Sequence, residues 1–143
     1  MCMCTRRALL VLAGGVLASA DANSGEAAGS SDADRAFMAE AQRMRAVAIA
    51  DGDQPFGAII VRGGAIVGYG PSRVVVDRNP DAHAERVAIW DAQRRLGTEA
   101  LSGAVMYSTS RPCPPCESAA ARAKIERMYV GAAASDAGRP FDR

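Results

Sequence analysis

The first periodic apolar pattern in the chain has the spacing of an amphipathic helix. Its apolar positions lie three or four residues apart, at Phe37, Ala41, Met44 and Val47/Ala48. This spacing predicts a helix over residues 34–50 that Gly52 ends, with the Met and Phe side chains in the core.

Two apolar runs with strand character follow this helix. Residues 57–61 and 65–69 are separated by Gly63-Gly64. Because paired glycines adopt the positive φ angles of a two-residue turn, the pattern predicts a β-hairpin. The Val74-Val75-Val76 run either extends the sheet or forms a short crossing loop.

The second half of the chain alternates helices and strands. The pattern predicts a helix over residues 83–96 stopped by Gly97, a buried strand over 104–109, a helix that begins at Pro114-Pro115, and a last strand over 127–131. The order helix, hairpin, helix, strand, helix, strand predicts an α/β fold with helices on both faces of a mixed sheet.

The beginning of the chain has a different character. Arg6-Arg7 precede an apolar run over residues 8–17, and Ala18-Ser19-Ala20 has the form of a cleavage site. The run is too short to cross a bilayer comfortably, so we interpret residues 1–20 as an export signal. The paired arginines resemble a twin-arginine signal. A general secretory signal, or a start codon placed upstream of a cytosolic enzyme, is the alternative.

Residues 21–33 are small and polar, which predicts a flexible leader, and residues 34–143 then form a single domain. We expect the protein to be exported and periplasmic, or cytoplasmic if the signal is not used. No apolar segment after the signal is long enough for a membrane span.

The charge balance bears on the class of partner. The chain has 17 Lys+Arg and 16 Asp+Glu; removal of Arg6 and Arg7 with the signal leaves 15 against 16, a formal net charge of −1. Proteins that bind nucleic acids usually carry a basic face, so a near-neutral domain argues against a nucleic-acid partner.

The only histidine and two of the four cysteines have the spacing of a metal site. His83 stands upstream of Cys113 and Cys116, and Glu85 follows the histidine by two residues. Three protein ligands leave the fourth position of a tetrahedral Zn²⁺ open for water, as in catalytic sites, whereas structural zinc is normally held by four. A redox-active Cys-x-x-Cys pair is the alternative. Such a pair needs no upstream His-x-Glu and would leave that motif without a role.

The spacing also constrains where these residues sit. Positions two apart lie roughly 200° apart around a regular helix, so His83 and Glu85 face one metal only if His83 is at an irregular helix boundary. Cys113 and Cys116 begin the following helix, whose N-terminal partial positive charge favours thiolate.

The pattern His-x-Glu followed by Pro-Cys-x-x-Cys is the signature of zinc-dependent base deaminases. The chain resembles the cytidine and deoxycytidylate deaminase superfamily, especially its guanine deaminase and tRNA adenosine deaminase branch. The segments that carry the resemblance are residues 37–41, 54–61, 79–85 and 127–131, with the two motifs.

This resemblance implies a three-layer α/β/α cytidine deaminase-like fold, one Zn²⁺ per chain and a homodimer. It implies that His83, Cys113 and Cys116 hold the metal and that Glu85 transfers protons. Ser72 and the backbone amide of Ala84 would help to hold the base.

Three features depart from these relatives. Ser72 stands eleven residues before His83, where relatives usually have a base-binding Asn, and Arg111 stands where many have Glu. The final helix and strand of many relatives are missing or abbreviated after residue 135. These changes bear on the shape and polarity of the substrate pocket.

We therefore predict hydrolytic deamination of a small nucleobase or nucleoside. Guanine or a related purine is favoured, and a cytosine-type base is the other choice. A tRNA adenosine deaminase is a second hypothesis, which the charge and the export signal disfavour. A zinc-bearing binding protein without deaminase activity is a third, which Ser72, Arg111 and the short C-terminal segment suggest.

Overall fold

The computed structural model of the protein describes residues 30–143. The predicted export signal and residues 21–29 of the predicted leader lie outside the described residues. The elements in chain order are α1 (Asp32–Ala50), β1 (Gly57–Arg62), β2 (Ala65–Pro71), α2 (Ala84–Leu96), β3 (Ala104–Ser108), α3 (Pro114–Arg122), β4 (Arg127–Val130) and β5 (Ser135–Gly138).

The strands form one mixed sheet in the order β2-β1-β3-β4-β5. β1 runs antiparallel to β2 and β3, β3 runs parallel to β4, and β5 returns antiparallel to β4. The predicted mixed sheet is confirmed, but β4 is not the last strand. β5 has the sequence Ser-Asp-Ala-Gly, which shows none of the apolar alternation that identifies strands.

Helices cover both faces of the sheet and make three layers. The residues of β1 alternate between the two cores: Ile59 and Val61 face α1, whereas Ala58 and Ile60 face α2 and α3. On the first face the core also holds Met38, Ala41, Met44 and Tyr107. On the second it holds Ala84, Ala88, Ala92, Met106, Ala120 and Met128. The layered α/β architecture matches the prediction.

The start of α1 is set by a capping box. Ser31 Oγ accepts a hydrogen bond from the Asp34 amide at 3.1 Å, and the Asp34 carboxylate accepts one from the Ser31 amide at 2.9 Å. These bonds satisfy amides that the first helical turn leaves without partners. The helix therefore begins at Asp32, two residues before the predicted start, and the predicted leader cannot extend to residue 33.

The turns follow their glycines. Gly63 and Gly64 have φ angles of 60° and 76°, which confirms the predicted hairpin. Gly97 adopts the left-handed conformation at the end of α2. Val74-Val75-Val76 lie in turns between β2 and α2, so the alternative of a crossing loop is confirmed.

Close packing between β2 and α2 sets the height of α2 above the sheet. Gly68 and Gly70 lie on the same face of β2, and a methyl group on Gly70 would overlap the carbonyl oxygen of Ala84 and lie 2.5 Å from the amide nitrogen of Ala88. Only glycine permits this approach of strand to helix backbone.

Within residues 30–143, none of the helices combines the length and apolar character that a bilayer crossing requires.

We expect Gly70→Ala to lower the free energy of unfolding by about 1–3 kcal/mol or more, because the added methyl group must displace the backbone of α2. Denaturant unfolding measures the change. Gly63→Asn is the control, since Gly63 has open space around it and Asn tolerates a left-handed φ. Equal stability of Gly70→Ala and the wild-type chain would contradict this account of the packing.

Candidate metal centre

Three side chains converge where α2 and α3 begin. His83 Nδ1 lies 3.6 Å from Cys113 Sγ and 3.4 Å from Cys116 Sγ, and the two sulfur atoms are 3.2 Å apart. Within residues 30–143 these three form the one cluster of His, Cys, Asp or Glu side chains whose ligand atoms could hold a metal ion. The structure thus brings together the three ligands that the spacing predicted.

Two helix boundaries aim these ligands at one point. His83 is the N-cap of α2, with extended φ and ψ angles of −63° and 152°, and Cys113 is the N-cap of α3 with similar angles. Cys116 lies in the first turn of α3. The irregular boundary position required for His83 is therefore present, and it lets Glu85 face the same region from the first turn of α2.

The distances of 3.6 and 3.4 Å from the two sulfur atoms to His83 Nδ1 fit tetrahedral zinc, whereas the sulfur–sulfur distance of 3.2 Å is shorter than in such a site. With Zn–S bonds of about 2.3 Å and Zn–N bonds of about 2.0–2.1 Å, tetrahedral geometry places the sulfur atoms about 3.8 Å apart and each sulfur about 3.6 Å from the nitrogen. Both cysteines are free thiols rather than a disulfide. Three ligands without a fourth in the described cluster match a catalytic zinc site rather than a structural one.

Arg86 places a positive charge near the two cysteines. Its Nε is the single buried side-chain nitrogen or oxygen in residues 30–143 without a hydrogen-bond partner. Arg86 lines a cavity of 170 Å³ together with His83, Cys113 and Cys116, and its Nη1 is held by Asp81 at 2.6 Å. The positive charge of Arg86 thus favours the thiolate form that a metal requires.

The environment of Cys116 differs from the expectation that the helix N-terminus makes it easy to ionise. Burial raises the pKa of the Cys116 thiol, and the nearby Glu85 carboxylate and Cys113 raise it further, while Arg86 opposes them. Because a bound cation deprotonates a coordinating thiol, the thiolate state here depends on the metal.

Glu85 is buried beside the ligands but is not one of them. It is 5% exposed, and its Oε1 accepts a hydrogen bond of 2.9 Å from Ser108 Oγ. Sequence reasoning did not identify Ser108. A signal was available: Ala104, Met106 and Ser108 share one face of β3, so a polar side chain ends an otherwise apolar face just before the cysteines.

The predicted substrate-binding Ser72 is buried in a loop contact. Its hydroxyl donates to Asp53 Oδ1 at 2.8 Å, and the same carboxylate accepts from the amides of Gln54, Val75 and Val76. Burial acts to raise the pKa of Asp53, but these hydrogen bonds outweigh it and lower the pKa below its usual value. Since the single proton of Ser72 is donated to Asp53, its oxygen can only accept from a substrate.

Ala84 and Arg111 are the other two positions that the sequence singled out. Ala84 is the first residue of α2, where a backbone amide has no partner within the helix. Arg111 is exposed in the loop before Cys113 and makes no ion pair with residues 30–143. The roles predicted for Ser72 and Ala84 toward a base stay predictions.

Larger cavities lie elsewhere. One of 610 Å³, between the start of α1 and β5, is lined by Asp34, Tyr129 and Asp136 among others and includes no metal ligand. The candidate centre is therefore located by its chemistry and not by cavity size.

Comparison with known proteins identifies related sequences. Residues 31–132 match the model of the cytidine and deoxycytidylate deaminase zinc-binding region. The chain is 39% identical over 83 residues to the guanine deaminase of Bacillus subtilis, covering 58% of this chain and 53% of that protein. It is 38% identical over 96 residues to the tRNA-specific adenosine deaminase of Aquifex aeolicus, covering 67% and 64%. The chain thus spans between half and two thirds of the length of these curated relatives.

Solved structures agree with this picture. The crystal structure of the Bacillus subtilis guanine deaminase superposes with a TM-score of 0.65 at 34% identity, over 68% of this chain and 62% of that one. A structure from a study of tRNA:A34 deaminases gives a TM-score of 0.65 at 34% identity, over 67% and 70%. The crystal structure of the dCMP deaminase from cyanophage S-TIM5 gives a TM-score of 0.55 at 27% identity, over 68% of this chain and 80% of that one.

We expect the purified protein to hold about one zinc per chain, and His83→Ala and Cys113→Ala each to lose both zinc and stability, because two ligands are too few for a tight site. Elemental analysis and thermal unfolding on the same samples measure both effects. Ser110→Ala, in the same loop but outside the cluster, is the control. Full zinc retention in both variants would contradict the assignment of His83 and Cys113 as zinc ligands.

Proposed function

Because the chain belongs to the cytidine and deoxycytidylate deaminase zinc-binding family, we propose that it is a zinc-dependent hydrolase that deaminates a small nucleobase or nucleoside. The observation that carries this proposal is the buried Glu85 carboxylate beside a three-ligand cluster to which it does not belong. A free carboxylate next to an open metal position is the arrangement that hydrolytic deamination requires.

The chain's own residues have distinct tasks in this reaction. Zinc held by His83, Cys113 and Cys116 would supply Lewis-acid activation of water, whose pKa such a metal lowers to about 7. Glu85 accepts a proton from the attacking water and delivers protons to the ring nitrogen and to the departing ammonia. The Ala84 amide and the Ser72 oxygen would orient the base.

We favour guanine or a related purine as the substrate. The support is the similarity to a guanine deaminase in both sequence and structure, together with a formal net charge of +1 for the whole chain, which does not suggest a polyanionic partner. A tRNA:A34 deaminase structure has the same TM-score and identity, and a tRNA-specific adenosine deaminase matches over a longer segment, so tRNA is the second candidate. Ser72 and Arg111, where the chain departs from relatives, keep a binding protein without activity as the third.

Two further expectations accompany this proposal. We propose that residues 1–20 direct export, which would separate the enzyme from intact tRNA and favours a small substrate. We also propose a homodimer. The described surface has a large apolar side chain suited to an interface in Trp90, which is 41% exposed on α2.

The activity test is ammonia release from guanine, adenine, cytosine and their nucleosides, with a tRNA transcript assayed in parallel for inosine. We expect turnover of a free base or nucleoside and none of the transcript. Inosine in the transcript without turnover of any base or nucleoside would show that the protein is a tRNA adenosine deaminase. Inactivity of zinc-loaded protein on every substrate would favour the binding protein.

We expect Glu85→Gln to retain its fold and zinc while losing activity by at least the upper part of the roughly 10²–10⁴-fold range that general acid–base catalysis supplies, since one group serves several proton transfers. Turnover, zinc content and melting temperature are measured on one preparation. Glu117→Gln is the matched control, because Glu117 is also a buried glutamate near a helix N-terminus. Near-normal turnover by folded, zinc-loaded Glu85→Gln would refute the mechanism.

The expected assembly is a two-fold homodimer, since closed two-fold dimers are the commonest oligomers and the small sheet leaves apolar side chains such as Trp90 exposed. Light scattering at micromolar concentration should give twice the chain mass, and Trp90→Glu should shift the distribution toward monomer. A purely monomeric wild-type protein would contradict the dimer without touching the assignment of the metal centre.

A further inference from the structure

Ser108 occupies one of the most constrained positions in the molecule. It is the last residue of β3, the central strand, and pairs with Ala58 of β1 on one side and Val130 of β4 on the other. Its carbonyl oxygen accepts a hydrogen bond of 3.0 Å from the Gly131 amide, and the residue is 1% exposed. Its backbone is thus held from both sides, so its side chain is a fixed point on the face toward α2.

The hydroxyl of Ser108 makes its hydrogen bond to the carboxylate that the reaction uses. Ser108 Oγ donates to Glu85 Oε1 at 2.9 Å across 23 residues of sequence. No hydrogen bond from residues 30–143 reaches Glu85 Oε2. One carboxylate oxygen is therefore held by the sheet, and the other is left for water and substrate.

A glutamate needs such support if it is to transfer protons efficiently. Its side chain has three rotatable bonds, and rate depends steeply on whether the reacting atoms are held within a fraction of an ångström of the productive geometry. Fixing Oε1 to a rigid strand restricts all three torsions at once. The N-terminus of α2 fixes the backbone of Glu85, and β3 fixes the far end of its side chain.

We propose that Ser108 is a positioning residue that holds Glu85 Oε1 so that Oε2 faces the reacting atoms. This inference rests on the proposed deaminase function. The contrasting explanation is that Ser108 only satisfies a buried carboxylate, as buried polar groups require. The two explanations differ in what loss of the hydroxyl does to turnover when the fold and the metal are intact.

We expect Ser108→Ala to lower kcat by about 10-fold to 100-fold, the range typical for partners that orient a site residue, with little change in KM or zinc content. Ser108→Thr keeps the hydroxyl and should recover most of kcat. Ser118→Ala is the matched control: Ser118 is a buried serine on α3 whose hydroxyl accepts from the Arg143 amide and does not contact Glu85. It should leave kcat unchanged.

A double-mutant cycle separates positioning from general support of the fold. If Ser108 acts through Glu85, adding Ser108→Ala to Glu85→Gln should not reduce the residual turnover further. If it only supports the fold, it should reduce turnover by the same factor in both backgrounds, and it should lower the melting temperature and zinc content as well.

The outcomes distinguish this inference from the proposed function. Turnover by the wild-type chain with unchanged kcat in Ser108→Ala, or equal losses in both backgrounds of the cycle, overturns the role of Ser108 and leaves the deaminase intact. Absence of turnover by zinc-loaded wild-type protein on every base, nucleoside and transcript overturns the deaminase, and the role of Ser108 in that reaction with it.

Discussion

The backbone contact between β2 and α2 is the constraint on which the site depends. Gly68 and Gly70 let the helix approach the strand more closely than any side chain would permit. This contact fixes the height of the first turn of α2, and with it His83 and Glu85. Cys113 and Cys116 lie at the start of α3, which follows β3 of the same sheet. The distances between the metal ligands therefore depend on how the helices pack on the sheet.

The site disfavours an ionised Cys116 thiol unless a cation is bound. Glu85 and two cysteines lie close together in a buried region, and this raises the pKa of Cys116. A divalent metal reverses the balance, since it favours thiolates and attracts the carboxylate. Arg86 adds a positive charge on the same side. Because zinc binding requires the thiolate form, we expect the stability of the fold to depend on metal content.

Ser72 and Arg111 lie outside the cluster of three ligands. Ser72 is tied to Asp53, which also fixes the amides of the loop between β2 and α2. The result is an acceptor-only contact on a rigid loop, where an amide side chain would offer both a donor and an acceptor. Arg111 is exposed two residues before Cys113. We propose that these two positions affect which base is bound, while the three ligands and Glu85 carry the hydrolytic chemistry.

Local patterns in the sequence determined most of the elements and the composition of the metal centre. Periodicity, paired glycines and the His-x-Glu spacing each involve residues close together in the chain, so their geometry follows from backbone rules. Tertiary structure alone decided β5, a polar strand recognisable only by its pairing with β4. It also decided the contacts of Ser108 with Glu85 and of Ser72 with Asp53, which join residues 23 and 19 positions apart. The alternation along β3 marks Ser108 as a polar end to an apolar face, but no pattern names its partner, because each contact is made by two side chains that only the packing of distant elements brings together.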